Sequence, residues 1–290
     1  MKNNYAGKHV LITGGSSGIG LAAAKLAAQH GANVTILSRR KEVLEQAARD
    51  IIGQRSQDTF VKTISADVSN EAEVSQALKD LVAGQGLPDV VINCAGVTHP
   101  GEFYLLDSEI FRWNMNINYF GAVYVLKALV PDMMQRGSGM IIFVSSAVGL
   151  FNIYGYSAYG ASKYAVSGLA EALRMELKPH GIQVSLVIPA DTRTPQLEYE
   201  DQYKPAVTRE INKVAGLMEP EDVAREMLSG AARGKYLILP GSTTKFLYAA
   251  LRIAGRGLFY SYFDGLVRKT LQRLPPAKND LDAQHEGDPD

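Results

Sequence analysis

A glycine-rich stretch near the amino terminus constrains the fold of this chain more than any other part of its sequence. Residues 13–20 read Thr-Gly-Gly-Ser-Ser-Gly-Ile-Gly, after the apolar run 9–12 and before an alanine-rich helical pattern. Glycine lets the backbone turn sharply and approach a ligand, and the free amides at a helix start attract a pyrophosphate. The stretch therefore predicts the strand, turn and helix of a dinucleotide site, with an ordinary Gly-Ser turn as the alternative.

The rest of the chain continues the alternation of strands and helices. Apolar runs predict strands at residues 33–37, 60–65, 89–93, 140–144 and 183–188. Helical periodicity predicts helices at residues 19–30, 41–52, 71–83, 107–135 and 158–178. Because almost nothing interrupts the alternation, we expect one α/β domain over residues 1–241, built on a single doubly wound, mostly parallel sheet.

Composition indicates a globular protein without a general affinity for nucleic acid. Apolar residues make up 46% of the 290 residues, and 30 basic residues balance 30 acidic ones. The amino terminus has no apolar signal core, and no apolar run reaches the ~18 residues of a membrane span. The single cysteine, Cys94, excludes intrachain disulfides. We predict a cytoplasmic protein, and because the histidines lie far apart, we predict no metal site.

The residues after the second predicted strand decide between two dinucleotides. In this type of fold, an acid about 20 positions past the glycine turn binds a free ribose 2′-hydroxyl. Here the place is occupied by Ser38, Arg39, Arg40 and Lys41, without a carboxylate. Guanidinium groups suit a 2′-phosphate, so we predict NADPH rather than NADH. A solvated basic helix start is the alternative.

The ends of the third and fourth predicted strands carry further candidates for cofactor contacts. Asp67 and Val68 follow the third strand, where Asp67 either meets an adenine amino group or caps the next helix. The fourth strand ends in Asn93 and runs into Ala95 and Gly96, whose small size lets a cofactor approach. Cys94, between them, is predicted to be a packed small hydrophobic residue rather than a nucleophile.

A phenol and an ammonium, those of Tyr159 and Lys163, lie four residues apart and therefore on one face of a predicted helix. A tyrosine ionises near pH ~10, but a lysine cation stabilises its phenolate, so the pair can move a proton nearer neutrality. Alone, this spacing is weak, because such pairs occur on many helix surfaces. Ser146 adds a hydroxyl at the end of the fifth strand, where open α/β sheets bind ligands.

Together these motifs resemble those of the short-chain dehydrogenase/reductase family. The resemblance covers about residues 7–240 and is carried by Thr13-Gly14, Gly18-Ile19-Gly20, Asn93-Cys94-Ala95-Gly96, Asn118, Ser146 and Tyr159-x-x-x-Lys163. It implies a seven-stranded NAD(P)-binding sheet of the Rossmann type. The chain departs from the family pattern at Ala190, where Pro-Gly is common, and at Cys94, where a second Asn is common.

The resemblance also implies a role for each of four catalytic residues. Tyr159 would protonate a carbonyl oxygen, and Ser146 would hydrogen-bond that oxygen. Lys163 would lower the pKa of the tyrosine and hold the nicotinamide ribose, and Asn118 would support a proton-relay water. The cofactor contacts that it implies are Gly14, Ser16, Ser17, Gly18, Ile19, Gly20, Ser38, Arg39, Arg40, Asp67, Val68, Asn93, Ala95, Gly96, Tyr159, Lys163, Thr192 and Thr194.

Within the family, the chain is most similar to the reductases of 3-ketosphinganine, a long-chain 2-amino ketone of sphingolipid synthesis. The similarity is carried by residues 13–20, 38–39, 116–119, 142–146, 169–172, 189–195 and 263–269. It implies NADPH-dependent reduction of this lipid ketone by a homo-oligomer, either a dimer or a tetramer. Reduction of another hydrophobic ketone (a steroid, a retinoid or an acyl-chain carbonyl) and dinucleotide sensing without turnover are the alternatives.

Two segments outside the common motifs are expected to serve such a substrate. Residues 191–217 mix charges with leucine and tyrosine and predict a lid, in which Asp191 either faces the substrate ammonium or caps a helix.

The second segment, residues 242–274, combines lysine and arginine with aliphatic and aromatic residues and predicts a helical extension. This extension either packs on the sheet or a partner subunit, or lies at a membrane surface without spanning it. In the second case, snorkelling arginine and lysine side chains flank an apolar face formed by Phe246, Leu247, Leu251, Ile253, Leu258, Phe259, Tyr260, Tyr262 and Phe263. Residues 275–290 predict a disordered acidic tail.

Overall fold

The structure, a computed structural model, describes residues 4–56, 59–213 and 216–273. The predicted tail, residues 275–290, lies outside the described residues. In chain order, the strands are β1 (His9–Thr13), β2 (Asn33–Ser38), β3 (Val61–Ser65), β4 (Val90–Asn93), β5 (Gly139–Val144), β6 (Ile182–Val187), β7 (Asp191–Thr192), β8 (Leu217–Met218) and β9 (Leu237–Ile238). The α-helices are α1 (Gly18–Gln29), α2 (Lys41–Ile52), α3 (Glu71–Gln85), α4 (Ser108–Met115), α5 (Gly121–Arg136), α6 (Ser157–Leu177), α7 (Pro195–Tyr203), α8 (Ala206–Asn212), α9 (Pro220–Ala232) and α10 (Gly241–Leu271).

A parallel sheet forms the centre of the fold. In the described part of the chain it has seven strands in the order β3-β2-β1-β4-β5-β6-β9. The chain winds outward from β1 to β3 and then returns to place β4 beside β1. Open α/β sheets leave a crevice at such a reversal, outside the carboxyl ends of the strands. The predicted doubly wound sheet is confirmed.

Helices cover both faces of this sheet because its central strands are apolar on both sides. One apolar cluster packs α1, α2 and α9 against the sheet through residues such as Ala27, Leu44 and Met227. The other packs helices of the opposite face through residues such as Leu129 and Val166. Each fully buried side chain of this size contributes ~1.5–3 kcal/mol. The two clusters hold the strand ends, and hence the crevice, in place.

The helix predicted at residues 107–135 contains a local widening. Between α4 and α5, the segment Asn116–Phe120 forms a π-helical turn. Such turns occur inside α-helices, frequently at functional sites. Asn118 lies in this turn and is buried there. The sequence pattern predicted the helix but not the π-turn.

The segment predicted as a lid is partly regular. Its ends pair as the short parallel strands β7 and β8, and α7 and α8 lie between them. The C-terminal extension is helical, as predicted, and α10 packs against α8. At Gly255 the backbone has φ 73° and ψ 164°, so α10 consists of two halves joined by a break. In the described part of the chain, no helix combines the length and the apolarity that crossing a bilayer requires.

Candidate active site

The glycine turn after β1 packs directly against the turn after β4. Gly14 has φ 68°, and a β-carbon there would lie 2.8 Å from the Cα of Ala95. A β-carbon on Gly20 would lie 2.3 Å from the carbonyl oxygen of Gly14. Thr13 joins the two turns, because its Oγ1 accepts hydrogen bonds from the backbone of Cys94 at 3.2 Å and of Ala95 at 3.1 Å. Only glycine fits a cradle this tight, which leaves its backbone open to a ligand.

The first turn of α1 keeps its backbone amides free for an anion. The N-cap residue, Ser17, makes no side-chain capping hydrogen bond, and the first turn contains no acidic residue. Beside it, the hydroxyl of Ser16 donates to that of Ser38 at 3.0 Å, which joins the glycine turn to the end of β2. Free amides together with the positive end of the helix dipole suit a pyrophosphate. The residues at this end of the sheet therefore fit a dinucleotide.

Arg39 and Asp67, both predicted to contact the cofactor, interact with each other. The Arg39 Nη1 lies 3.8 Å from Oδ2 of Asp67, and the two side chains are 53% and 35% exposed, respectively. An exposed pair of this kind is weak, so the guanidinium can exchange this partner for a phosphate. The other oxygen of Asp67 accepts from the backbone and hydroxyl of Ser69. The predicted alternative, in which Asp67 caps α3, is wrong. The N-cap residue of this helix is Asn70, whose side chain accepts a hydrogen bond from the backbone nitrogen of Glu73.

One cavity of about 660 Å³ extends from the glycine turn past Tyr159 to α10. Of the predicted site residues, the following line it: Gly14, Ser16, Ser17, Gly18, Ile19, Gly20, Ser38, Arg39, Arg40, Val68, Ala95, Gly96, Ser146, Tyr159, Lys163, Thr192 and Thr194. Asp67, Asn93 and Asn118 do not line it. The Asn93 side chain is buried and has no hydrogen-bond partner among the described residues. A direct contact of Asn93 with the cofactor is therefore not supported by its position.

Tyr159 and Lys163 lie on one face of the first turns of α6, as predicted, and both are buried. The Lys163 Nζ donates to the carbonyl oxygen of Val144 at 3.1 Å and lies 5.6 Å from the centre of the Tyr159 ring. Burial lowers the pKa of Lys163 to about 8, although the charges of Cys94 and Glu200 act in the opposite direction. The buried ammonium is thus held between the end of β5 and the phenol.

The pKa of Tyr159 is raised above its ordinary value. Burial is the main cause, and the carboxylate of Glu200 adds to it, whereas hydrogen bonding to Ser146 and Gln196 acts in the opposite direction. The prediction that Lys163 lowers this pKa is not met in this arrangement, because burial dominates and the ammonium is hydrogen-bonded to the Val144 carbonyl. Tyr159 is therefore protonated at neutral pH and is suited to donate a proton.

Ser146 and Asn118 occupy different positions relative to the cavity. Ser146 follows β5 and lines the cavity, and its Oγ accepts from the backbone of Val148 at 3.4 Å. The side chain of Asn118 accepts from the Val97 nitrogen at 2.7 Å and donates to the Val97 oxygen at 2.9 Å and to Ser162 Oγ at 2.8 Å. Both amide hydrogens of Asn118 are thus in use. The residue braces the π-turn against α6, and the predicted proton relay through it stays a prediction.

Glu200 is a cavity residue that the sequence did not reveal. It lies on α7, and its Oε2 accepts a hydrogen bond from the Tyr156 hydroxyl at 2.6 Å. In sequence it is one of several acids in a charged segment, and only the fold brings it over α6. Asp191 also lines the cavity and accepts from Asn212 at 3.0 Å. The predicted alternative of Asp191 as a helix cap is wrong, because Thr194 caps α7.

An aromatic cluster closes the far end of the cavity. The ring of Phe151 lies 5.6 Å from that of Phe259 and 5.3 Å from that of Phe263, measured between centroids. Arg256 fastens the same half of α10 by donating to the carbonyl oxygen of Leu150 at 3.2 Å. The cavity wall formed by α10 consists mainly of apolar side chains, namely Phe246, Leu247, Ala250, Leu258, Phe259, Tyr262 and Phe263. One cavity thus joins a nucleotide cradle, a proton donor and an apolar wall.

Known proteins are similar to this chain in both sequence and fold. A family model described as short chain dehydrogenase matches residues 8–204. The chain is 35% identical over 290 residues to 3-ketodihydrosphingosine reductase of Bos taurus, covering 92% of this chain and 87% of that protein. It is 40% identical over 232 residues to the enzyme of the same name from Mus musculus, covering 79% and 70%. Among solved structures, levodione reductase is similar with a TM-score of 0.75 and 27% identity, covering 83% of this chain and 98% of that one.

Proposed function

This chain belongs to the short chain dehydrogenase family, and from that membership we propose that it reduces 3-ketodihydrosphingosine to dihydrosphingosine with NADPH. The family that the motifs predicted is confirmed, and the predicted substrate agrees with the names of the bovine and mouse relatives. One observation carries the proposal beyond the names. The cavity that contains Tyr159 continues along an apolar wall provided by α10, where the chain of a lipid ketone fits.

The proton chemistry follows from the positions of three side chains. Tyr159 donates its phenolic proton to the carbonyl oxygen, for which its raised pKa keeps it protonated. Ser146 donates a hydrogen bond to the same oxygen, where negative charge develops, and so stabilises the transition state. The Lys163 ammonium lies 5.6 Å from the centre of the Tyr159 ring, on the same face of α6, and so places a cation beside the reacting group. When bound, the nicotinamide dinucleotide supplies a hydride to the carbonyl carbon.

A nicotinamide dinucleotide is the cofactor of this fold, and the basic residues after β2 favour its phosphorylated form. Arg39 and Arg40 line the cavity, and no carboxylate occurs among residues 38–41. Two guanidiniums beside a ribose suit a 2′-phosphate. Ser16, Ser17 and the amides of α1 would hold the pyrophosphate, and Lys163 would hold the nicotinamide ribose.

The outer surface of α10 supports peripheral contact with an anionic lipid surface. Ile253, an apolar residue that does not line the cavity, is 88% exposed there. On the second half of α10, Arg268 and Lys269 form no ion pair within the described ranges. Interfacial helices combine these two features. A reductase of a long-chain lipid benefits from lying where its substrate is dissolved.

Two of the expected lipid-facing residues instead hold α10 to the rest of the chain. Lys245 pairs with Glu226 at 2.8 Å, and Arg256 binds the Leu150 carbonyl. The expected apolar face is also divided, since Phe259 and Phe263 pack on Phe151. The proposed lipid contact therefore involves the opposite surface of α10. Assembly into a dimer or tetramer and a cytoplasmic location stay predictions, to be checked by light scattering and by microscopy.

The deciding experiment combines the purified protein with NADPH and three ketones in detergent micelles: 3-ketodihydrosphingosine, a steroid ketone and a retinoid carbonyl. We expect NADPH oxidation with the first ketone, and dihydrosphingosine as the product identified by mass spectrometry. Tyr159→Phe is the control for enzyme-dependent turnover. Faster reduction of the steroid or the retinoid would assign another hydrophobic ketone, and NADPH binding without turnover of any ketone would indicate a sensor.

A further inference from the structure

Glu200 places a buried carboxylate in the wall of the reaction cavity. Its side chain is 8% exposed, and its hydrogen bond from Tyr156 connects it to the proton donor, because the rings of Tyr156 and Tyr159 lie 5.7 Å apart between centroids. The charge of Glu200 also acts on both Tyr159 and Lys163. Buried carboxylates are costly unless a cation or several donors compensate their charge. Glu200 therefore requires a cation nearby.

Lys204 is the buried cation on this side of the cavity, and it is shared among three acids. Its Nζ lies 2.8 Å from Asp201 but 3.8 Å from Glu200 and 3.9 Å from Asp191. Burial raises the pKa of both Glu200 and Asp191, and the charge of Asp191 raises that of Glu200 further. Lys163, on which Glu200 also acts, is a second buried ammonium, so the three carboxylates still outnumber the two ammonium groups. A ligand cation is attracted to such a place.

A second, separate observation indicates that the cavity accepts a polar group. Thr244 lies in the first turns of α10, lines the cavity and is 1% exposed. Its hydroxyl has no hydrogen-bond partner among the residues that the structure describes. Unpartnered buried hydroxyls are rare in folded proteins, and each calls for an explanation such as a missing ligand. A polar head group, entering ahead of an apolar chain, provides one.

We propose that Glu200 recognises the protonated amine on the carbon next to the ketone of the substrate. This inference rests on the proposed function, because only the 2-amino ketone carries a cation at that position. With the ketone oxygen at Tyr159, the amine is one carbon away from the reacting carbon and therefore close to the carboxylate that acts on Tyr159. The Thr244 hydroxyl provides a further acceptor for the head group.

Glu200 suits this role better than Asp191, the acid that the sequence indicated. The side chain of Asp191 is 31% exposed, whereas that of Glu200 is 8% exposed. Glu200 is more deeply buried, so its charge is less screened by water and its interaction with a cation is stronger. Recognition by Glu200 would bring the ketone to Tyr159 in one orientation and would discriminate against ketones without an amine.

The test compares two ketones in the wild-type chain and in Glu200→Gln. The ketones are 3-ketodihydrosphingosine and the matching ketone in which hydrogen replaces the amine. Glutamine keeps an oxygen for the Tyr156 hydrogen bond but removes the charge. We expect the ratio of kcat/KM for the amino ketone over the other ketone to fall about 10- to 100-fold, mainly through KM. Any effect of the lost charge on Tyr159 is common to both ketones and cancels in this ratio.

Glu198→Gln is the matched control, because Glu198 lies on the same helix but is exposed. The Glu198→Gln variant should show the same ratio of kcat/KM for the two ketones as the wild type. A second readout needs no variant: in the wild type, the preference for the amino ketone should disappear as the pH rises through the pKa of the substrate amine. Circular dichroism verifies that each variant is folded.

Three results would overturn the inference. If Glu200→Gln lowers kcat/KM for the two ketones by equal factors, Glu200 serves the site in general, and the proposed function stands without this role. If the wild type prefers the amino ketone equally when the amine is neutral, charge recognition is excluded. If the wild type reduces neither ketone, the proposed function fails first, and the inference fails with it.

Discussion

The ammonium of Lys163 donates to the backbone carbonyl of Val144, at 3.1 Å, and thereby connects α6 to the last residue of β5. This hydrogen bond directs a buried cation toward the nucleotide cradle, where a β-carbon on Gly96 would lie 3.4 Å from the Lys163 Nζ. Because burial penalises the charged form, this lysine loses its proton far more readily than an exposed one.

The first prediction concerns pH. Burial lowers the pKa of Lys163 to about 8, so the cation is present below that pH and is lost above it. We expect kcat/KM for NADPH to decline as the pH rises through about 8, because this parameter reports groups of the free enzyme. In Lys163→Arg the guanidinium does not titrate, so this decline should be absent at a lower overall rate. A wild-type profile that is flat from about pH 7 to about pH 10 would exclude the assignment.

The second prediction concerns Tyr159→Phe. Loss of the hydroxyl removes the proton donor but keeps the buried ring, so kcat should fall by about 10²- to 10⁴-fold. Binding of NADPH, measured by fluorescence titration, should change by less than about 2-fold, since the cradle is made by other residues. Retention of more than about a tenth of the wild-type rate would remove Tyr159 from the mechanism.

The third prediction concerns cofactor choice. Arg39→Ala and Arg40→Ala should each lower kcat/KM for NADPH by about 10- to 100-fold and leave that for NADH nearly unchanged. The fold should tolerate the Arg39 change, because its pair with Asp67 is exposed. Arg49→Ala, on the far end of α2, is the control. If neither variant alters the NADPH to NADH ratio, these arginines face solvent and the phosphate is bound elsewhere.

The fourth prediction concerns stability. Asn118→Ala removes three hydrogen bonds and leaves partly buried backbone groups of Val97 without their partner, which should cost about 1–3 kcal/mol of unfolding free energy. Urea denaturation measures the change. Asn116→Ala is the matched control, because Asn116 lies in the same π-turn but is exposed. Equal stabilities of the two variants would contradict the bracing role of Asn118.

The fifth prediction concerns the lipid surface. Ile253→Glu places an acid where α10 exposes an apolar side chain, and cosedimentation with anionic vesicles should fall by about 5-fold or more. Met175→Glu, an exposed change on α6, is the control and should bind like the wild type. Wild-type binding should weaken as salt is added. A wild-type chain that does not sediment with anionic vesicles would leave the exposed face of α10 without this role.

The parts of the fold that sequence could predict depend on local chemistry. The helix at residues 41–52 was predicted with the bounds that α2 has, since apolar residues recur there with helical spacing. The glycine turn was predictable because its conformation excludes other residues, and the Tyr159–Lys163 face because four residues make about one helical turn.

The other features arise from contacts between distant parts of the chain. The π-turn is held by Asn118 bonding to Val97 and Ser162. Glu200 joins the site only because α7 folds over Tyr156. The raised pKa of Tyr159 follows from burial, which no spacing of residues reveals. Phe259 and Phe263 were assigned to a lipid-facing surface because an apolar side chain does not indicate which apolar surface it contacts.

The break at Gly255 divides α10 into two helices that are held by different contacts. The half before the break is anchored by Lys245 to Glu226, and the half after it rests on Phe151. Backbone torsions at Gly255 are non-helical, so the two halves are separate helices. The two halves therefore form separate parts of the cavity wall, with Phe246 and Leu247 before the break and Leu258 and Phe259 after it.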